Sequence, residues 1–236
     1  QILLPLPSHM PFYYDWVQPS RGLLQPWTTL PALLMLLALL AAAWRLRHQR
    51  PLFALGVLLF FSGHFITSNV IGLEMAFEHR NHLPLIGIVL ASYDLLAVAM
   101  DRFRIRFAAR IALAVLLFAL LAGTTILRAR SWDSELQLAL TSTRLAPQSA
   151  RAWNALCVTY FELGGGAKPA NPNLGKAIDA CSKGAALAND SITSQTNVVV
   201  FKSLQGTATK ADWDGYLAQL RTVTMKAEDR KSTRLN

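Results

Sequence analysis

The chain has 236 residues, of which 53% are hydrophobic and only 16% are charged, and its net charge is +9. Soluble domains usually carry about 25% charged residues, so this composition favours a membrane protein over a soluble one. The basic charge does not indicate nucleic-acid binding, because the arginines lie at the ends of apolar segments, where membrane topology places them.

Features at the two ends of the chain affect how its domains are predicted. The sequence starts at Gln1, with neither Met nor the pattern of a signal peptide, so we expect a fragment whose upstream part is missing. Its end, RKSTRLN, resembles a tail that recurs on unrelated translated sequences, and we expect residues 226–236 to be disordered and non-native. The predicted domains are a membrane domain at 1–130, a helical-repeat domain at 131–225 and this tail.

Four apolar segments lie in the membrane domain, each close to the ~20 residues needed to cross hydrocarbon. They are predicted as transmembrane helices at about 28–44, 52–73, 83–100 and 107–127. A soluble bundle of apolar helices is the alternative, but the first and fourth segments have too little polar face for it. The predicted fold class is all-α, with four transmembrane helices followed by a helical-repeat domain outside the membrane.

The arginines predict the orientation, because short cytoplasmic loops carry an excess of basic residues. The loop at 45–50 has three arginines, and the loop at 101–110 has four against one aspartate. The loop at 74–82 has one arginine and two glutamates. The first two loops should therefore be cytoplasmic. Residues 1–26, the 74–82 loop and everything after Leu127 should lie outside, which at a bacterial inner membrane is the periplasm.

The predicted spans contain two polar residues of interest, His64 and Asp94. An unpaired carboxylate at Asp94 would cost about 2.5–3.5 kcal/mol, so it should face the bundle, be protonated or be paired. His64, Ser68 and Asn69 are candidate partners. At such a position His64 is more often an interhelical hydrogen-bonding residue than a catalyst. Proton coupling by Asp94 would make the chain a transporter, which four spans without internal symmetry disfavour.

The densest polar cluster lies in the outer loop between the second and third spans. Its candidate binding residues are Glu78, His79, Arg80 and Asn81. Glu78 can pair with Arg80, and the other two can contact a headgroup or phosphate, since charges beside hydrocarbon tend to be paired or functional. The alternative is a solvated loop whose charges only mark the membrane boundary.

Motifs for nucleotides, cofactors and common hydrolases are missing from the sequence. There is no P-loop, Rossmann glycine fingerprint, nucleophile elbow or His-Glu-x-x-His. No histidine follows His82, so the two cysteines cannot complete a tetrahedral metal site. We therefore predict no cofactor and no metal, and assign no catalytic residue in this chain.

The region after residue 130 carries the spacing of tetratricopeptide repeats. One face of a first helix has residues at offsets 0, 3, 4 and 7, namely Trp153, Leu156, Cys157 and Tyr160. Three glycines at 164–166 should end that helix. A second helix that approaches the first closely has its small positions at Ala177, Cys181 and Gly184. Further helices are predicted at 134–146, 193–204 and 211–223. A plain bundle without a binding groove is the alternative.

Cys157 and Cys181 are the only cysteines, and they fall on the facing helices of this hairpin. In the periplasm they can form a disulfide, which would stabilise the domain by roughly 3 kcal/mol. The alternative is a pair of buried thiols.

Three stretches of the sequence carry a family resemblance. They are GLEMAFEHRNHLP at 72–84, PFYYDW at 11–16 and PWTT at 26–29. Together with the repeats they resemble proteobacterial multi-span membrane proteins with C-terminal tetratricopeptide repeats. These are similar in layout to the eukaryotic transmembrane-and-tetratricopeptide O-mannosyltransferases. The resemblance covers about residues 5–225 and departs from the family pattern at Thr67 and His82.

The resemblance implies a glycosyltransferase that uses a polyprenol-phosphate sugar, with its catalytic acidic residue in a loop upstream of this chain. It implies that His79 and Arg80 hold the donor phosphate, and that the repeats bind a protein acceptor or partner. The alternative is a non-enzymatic inner-membrane scaffold that uses its repeats to assemble envelope proteins.

Overall fold

The computed structural model describes residues 10–15, 20, 22–69, 81–168, 170–187 and 192–222. Within these ranges the chain forms helices and turns and no strand, which confirms the all-α prediction for this part of the sequence. The helices are α1 (Thr29–Leu46), α2 (Pro51–Asn69), α3 (His82–Arg102), α4 (Phe107–Ala129), α5 (Glu135–Leu145), α6 (Ala150–Leu163), α7 (Leu174–Leu187), α8 (Thr193–Gln205) and α9 (Lys210–Thr222).

The described residues divide into two compact units. The first unit comprises Gln18–Thr124, and the second comprises Leu6–Val17 with Thr125–Asn236. Residues 10–15 therefore belong with the C-terminal helices, a grouping that the sequence did not predict.

Within the described residues, three helices are long and apolar enough to cross a membrane. They are Thr29–Leu46, His82–Arg102 and α4 with the turn after it, Phe107–Trp132. The described apolar stretch of α2, Pro51–Phe65, is shorter. Helices are thus confirmed at all four predicted positions, while the membrane crossing by α2 stays a prediction.

Small residues bring α2 and α3 together. A Cβ added to Gly87 would lie 2.8 Å from the Phe60 backbone nitrogen, and one added to Gly56 would lie 2.6 Å from the Ala91 nitrogen. Further along, a Cβ on Gly63 would lie 3.0 Å from the Pro84 ring. Close backbone approach of this kind is how membrane helices associate, because lipid provides no hydrophobic drive between them.

The positions of the contacts along α2 and α3 show that the two helices are antiparallel. Gly56 lies opposite Gly87 and Ala91, whereas the later Gly63 lies opposite the earlier Pro84. The start of α2 is therefore beside the end of α3. Both arginine-rich loops, at 45–50 and 101–110, consequently lie at one end of the α2–α3 pair.

The second unit buries the predicted helix faces. Leu156 and Cys157 of α6 are buried, as are Ala177, Cys181 and Gly184 of α7. The larger Trp153 and Tyr160 pack against this core, whose other members come from α5 and α8. The periodicity therefore predicted the buried faces of both helices correctly.

Consecutive helices of the second unit alternate in direction. Lys176 lies over the Tyr160 ring and Lys183 over the Trp153 ring, so α6 and α7 are antiparallel. The Phe161 and Phe201 rings stack at 4.2 Å near the ends of α6 and α8, which makes those two helices parallel. α9 then returns along α8.

The glycine turn after α6 is fixed by one amide. Gly165 and Gly166 have φ values of 96° and 67°, the left-handed region that glycine tolerates best. The buried Asn171 donates to the carbonyls of Phe161 at 3.0 Å and Gly166 at 2.8 Å. Its oxygen accepts from the Asn173 N–H at 2.9 Å. Asn171 thus closes the insertion between α6 and α7.

α9 begins with a reciprocal capping box. The Thr209 hydroxyl accepts from the Asp212 N–H at 3.3 Å, and the Asp212 carboxylate accepts from the Thr209 N–H at 2.8 Å. Lys202 of α8 lies 2.6 Å from the same carboxylate. The hydrogen bond from Lys202, followed by those from Thr209, lowers the pKa of Asp212 below its ordinary value.

Candidate functional site

The best-defined polar arrangement of the second unit crosses from α6 to α8. The Asn154 side-chain oxygen accepts from the Asn197 amide at 3.0 Å and from the Ser194 hydroxyl at 3.4 Å. One helix further on, the Thr196 hydroxyl lies 3.4 Å from the Tyr216 hydroxyl of α9. These contacts place a row of neutral hydrogen-bonding groups across three helices.

An apolar residue extends this row on α6. Val158 lies one helical turn after Asn154, on the same side of the helix, and is 38% exposed. Asn154 and Asn197 are both half-buried, whereas Ser194 is buried. A surface that combines neutral amides with an exposed aliphatic side chain fits a peptide, which offers backbone amides and apolar side chains. It does not fit a strongly charged ligand.

A shallow depression lies on another side of the unit, between α7 and α8. It is lined by Ser182, Ala185, Ala186, Gln195 and Val198. None of these residues can act as a general acid or base near neutral pH. The residues lining this depression therefore offer no general acid or base.

Cys157 and Cys181 form a disulfide bond. It joins the middle of α6 to the middle of α7, and the Cys181 sulfur lies 4.0 Å from the Asn154 side-chain oxygen. The bond connects the two helices where the predicted small positions allow them to approach. It holds in place the helix that carries the Asn154 row.

Most of the predicted outer-loop site lies outside the described residues. This applies to Glu78, His79 and Arg80. Asn81 is described, and it precedes the first residue of α3 without capping that helix through its side chain.

The suggested pairing of Asp94 with His64 is wrong. Gly63, beside His64, packs on Pro84, and Asp94 lies ten residues further along α3, about 15 Å at the helical rise. Ser68 and Asn69 follow a turn later in α2, further still from Asp94. His64 instead contacts the Phe60 ring at 4.8 Å. The Asp94 Oδ2 atom is buried and has no hydrogen-bond partner in the described part of the chain.

The segment at 10–15 contacts the second unit through aromatic and acidic side chains. The Arg128 guanidinium lies 3.6 Å from the centre of the Phe12 ring, and that ring meets Trp132 edge-on at 5.5 Å. The Asp15 carboxylate accepts from the Arg151 N–H at 3.3 Å, in the first turn of α6. A carboxylate is favourable there because it complements the helix dipole.

Sequence reasoning missed the Asn154 row and the 10–15 contact. Asn154 follows Trp153 directly and therefore falls beside the predicted core face, and Ser194 and Asn197 are three residues apart in α8. Polar side chains at that spacing share one helix side, which was the available signal. The PFYYDW run offered only a hint, since its partners are more than a hundred residues away.

Among the described residues no group of three histidine, cysteine, aspartate or glutamate side chains is placed to hold a metal ion. Comparison with known proteins found no matching family model, no matching curated protein and no matching solved structure.

Proposed function

We propose that this chain is a multi-span membrane protein that holds a helical-repeat domain outside the cytoplasm to bind a protein partner. In this proposal α1 to α4 are the four spans of a bacterial inner-membrane anchor. The tetratricopeptide-like repeats are α6 with α7 and α8 with α9, and the partner binds across α6 and α8 beside Asn154.

The observation that carries the proposal is the Asn154 row between parallel α6 and α8. Alternating antiparallel helices whose first members run parallel are typical of stacked helical-hairpin repeats. In such stacks the parallel helices share a surface that no neighbouring helix covers. Here that surface carries amides and Val158, which suits recognition of an extended or helical peptide.

Three features support the external location and the even number of spans. The disulfide between Cys157 and Cys181 is typical of an oxidising compartment such as the periplasm. Both arginine-rich loops lie at one end of the α2–α3 pair, as the positive-inside rule requires of two cytoplasmic loops. Residues 10–15 contact the second unit, which requires an even number of crossings between them and supports α2 as a span.

Site-specific photocrosslinking in intact cells tests the binding surface. A photoreactive residue at Val158 should yield a discrete protein adduct, because this position is on the proposed binding side. The matched control is the same residue at Asp179, an exposed position of α7. Equal adducts from both positions, or none from Val158, would reject the surface. A reporter fused after Thr222 should be active only in the periplasm; cytoplasmic activity would reject the orientation.

A lipid-linked sugar donor is the more specific version of this function. It would make the chain the C-terminal part of a glycosyltransferase-like protein, with the repeats holding its acceptor. One observation favours it: α3 begins at His82, two residues after Arg80 in the sequence, and the Asn81 side chain does not cap the helix. A helix N-terminus and an arginine together suit a phosphate.

Donor binding by the full-length protein separates this version from a scaffold. Replacing Arg80 with alanine should weaken binding of a polyprenol-phosphate sugar at least about tenfold, as loss of a charged hydrogen-bond pair does. Arg144→Ala, an exposed arginine of α5, is the control. Unchanged affinity of Arg80→Ala would leave the scaffold as the function.

A further inference from the structure

The turn after α3 contains an arginine in a backbone conformation that favours glycine. Arg104 has a φ of 49°. Its N–H donates to the Asp101 carbonyl at 3.0 Å, and the Ile105 N–H donates to the Met100 carbonyl at 2.9 Å. Helices often end in this pair of hydrogen bonds, with glycine at the left-handed position because a Cβ is disfavoured there. The turn is therefore less stable with arginine at position 104 than it would be with glycine.

Arg110 satisfies the only carboxylate of the 101–110 loop. Its guanidinium lies 2.8 Å from the Asp101 carboxylate. It also donates to the Ile105 carbonyl at 2.9 Å and to the Met100 carbonyl at 3.5 Å. Arg110 thus stabilises the turn through hydrogen bonds to its carbonyls and neutralises the Asp101 carboxylate. The positive charge of the other arginines is therefore left uncompensated.

The other three arginines of the loop face outward. They alternate with apolar residues in the sequence RFRIRF at 102–107. Their side chains are exposed and make no hydrogen bond, ion pair or ring contact with any part of the chain that the structure describes. Phe103 and Phe107, each next to an arginine in the sequence, are 75% and 78% exposed. The loop therefore presents free guanidinium groups and free aromatic rings side by side.

The loop at 45–50 contributes the same combination at the same end of the α2–α3 pair. Arg45, Arg47 and Arg50 are exposed there. The Arg47 guanidinium lies 4.2 Å from the centre of the Trp44 ring, which is itself 64% exposed. Two loops with arginine and an exposed aromatic ring thus lie at one boundary of the apolar helices.

We propose that this end of the first unit binds the phosphate of an anionic phospholipid, with Arg104 as a principal contact. Guanidinium groups bind phosphate oxygens through paired hydrogen bonds. Exposed aromatic rings suit the level of the lipid headgroups, and a phosphate free in solution would not require them. The positive-inside rule accounts for arginines somewhere in this loop, but it does not account for an arginine at the left-handed position. This site is independent of the protein partner proposed above.

Replacement of Arg104 by glycine separates lipid binding from folding. The full chain is purified in a zwitterionic detergent and titrated with short-chain phosphatidylglycerol or phosphatidylcholine, with bound lipid counted by native mass spectrometry. Wild type should prefer phosphatidylglycerol. Arg104→Gly should lose about fivefold in that affinity, the usual worth of one cationic side chain at an anionic membrane surface. Its thermal midpoint should be unchanged or higher, because glycine suits the turn.

Further measurements distinguish a specific lipid site from non-specific electrostatic attraction. Arg104→Gln should weaken phosphatidylglycerol binding as Arg104→Gly does, while Arg144→Gln, which removes one exposed charge from the second unit, should not. Equal losses in both glutamine variants, or wild-type affinity in Arg104→Gly, would overturn the proposal. Inorganic phosphate that displaces the lipid completely at millimolar concentration would also overturn it, because the site would then recognise any phosphate.

Discussion

The α2–α3 pair of the first unit and the α6–α7 pair of the second unit both meet through small residues. Gly56 and Gly87 allow the first pair to approach, while Ala177, Cys181 and Gly184 allow the second. The outward faces differ. Leucine and isoleucine point outward from α2 and α3, whereas lysine lies over the aromatic rings at the α6–α7 contact.

If the first pair lies in lipid, as proposed, this difference means that the surrounding solvent determines which residues face outward, while steric fit determines the helix contact. In lipid, apolar outer side chains cost nothing, so specificity depends on backbone approach at the glycines. In water, the lysine stems cover apolar rings while their charges stay solvated. The second pair also has a covalent connection, which the first lacks. Variants at the two contacts should therefore respond differently.

Removal of the disulfide should give the largest effect. Cys157→Ser/Cys181→Ser should destabilise α6 and α7 by about 3 kcal/mol, because the bond closes a loop of 24 residues in the unfolded chain. Amide hydrogen exchange of the full chain in detergent measures the loss helix by helix. α2 and α3 should keep their protection.

Thiol reactivity checks the same prediction directly. Wild type unfolded without reductant should offer no reactive thiol, and Cys157→Ser should offer one. Two reactive thiols in wild-type protein purified without reductant would contradict the bond. Ser182→Ala, a change at an exposed position of α7, is the control and should alter protection little.

A single methyl group tests the contact in the first unit. Gly87→Ala places a Cβ 2.8 Å from the Phe60 nitrogen, so it should destabilise the α2–α3 pair by about 1–3 kcal/mol. Gly123→Ala in α4 is the matched control, because nothing lies within 4 Å of its Cβ position. That control should be neutral or stabilising by up to about 1 kcal/mol, as alanine favours helices.

Thermal unfolding in detergent, followed by circular dichroism, compares the two variants. If Gly87→Ala were as stable as Gly123→Ala, the close approach of α2 and α3 would be wrong.

The periodic parts of the fold were predictable from the sequence. Apolar length located α1 to α4, and the offsets from Trp153 identified the buried faces of α6 and α7. Both signals are local, since they depend on residues within one or two helices. The glycines at 164–166 likewise marked the end of α6 because glycine tolerates a left-handed turn.

The parts that depend on tertiary contacts were not predictable. Asn171 closes the α6–α7 insertion with hydrogen bonds that span up to ten residues, and nothing in the PANPNLG run distinguishes it from Asn173. The Asp15–Arg151 contact joins residues 136 apart. The proposed pairing of Asp94 with His64 failed because the register of α2 and α3 depends on where the glycines meet, which sequence alone does not fix.

Loss of the Asn171 side chain should have an intermediate effect. Asn171→Ala leaves the carbonyls of Phe161 and Gly166 without their donor, which should cost about 1.5 kcal/mol. The loss should appear as faster amide exchange at the end of α6 and the start of α7. Asp179→Ala, at an exposed position of α7, is the control and should stay within about 0.5 kcal/mol of wild type. Equal exchange in the two variants would exclude a structural role for Asn171.

The smallest effect should be confined to α9 and to acid. The pKa of Asp212 is lowered by its hydrogen bonds from Lys202 and Thr209, so the unfolded chain binds its proton more readily than the folded chain. The carboxylate therefore stabilises α9 above the ordinary aspartate pKa of about 3.9, and this contribution is lost as the pH falls below it.

Asp212→Asn should reduce the protection of α9 amides near pH 6, after correction for the intrinsic exchange rate. The difference from wild type should shrink as the pH falls from 4 towards 2. Lys202→Met removes the principal cause of the lowered Asp212 pKa, so the loss of α9 protection in acid should be complete at a higher pH than in wild type. A difference between Asp212→Asn and wild type that did not change with pH would show that only the capping box, and not the charge, stabilises this helix.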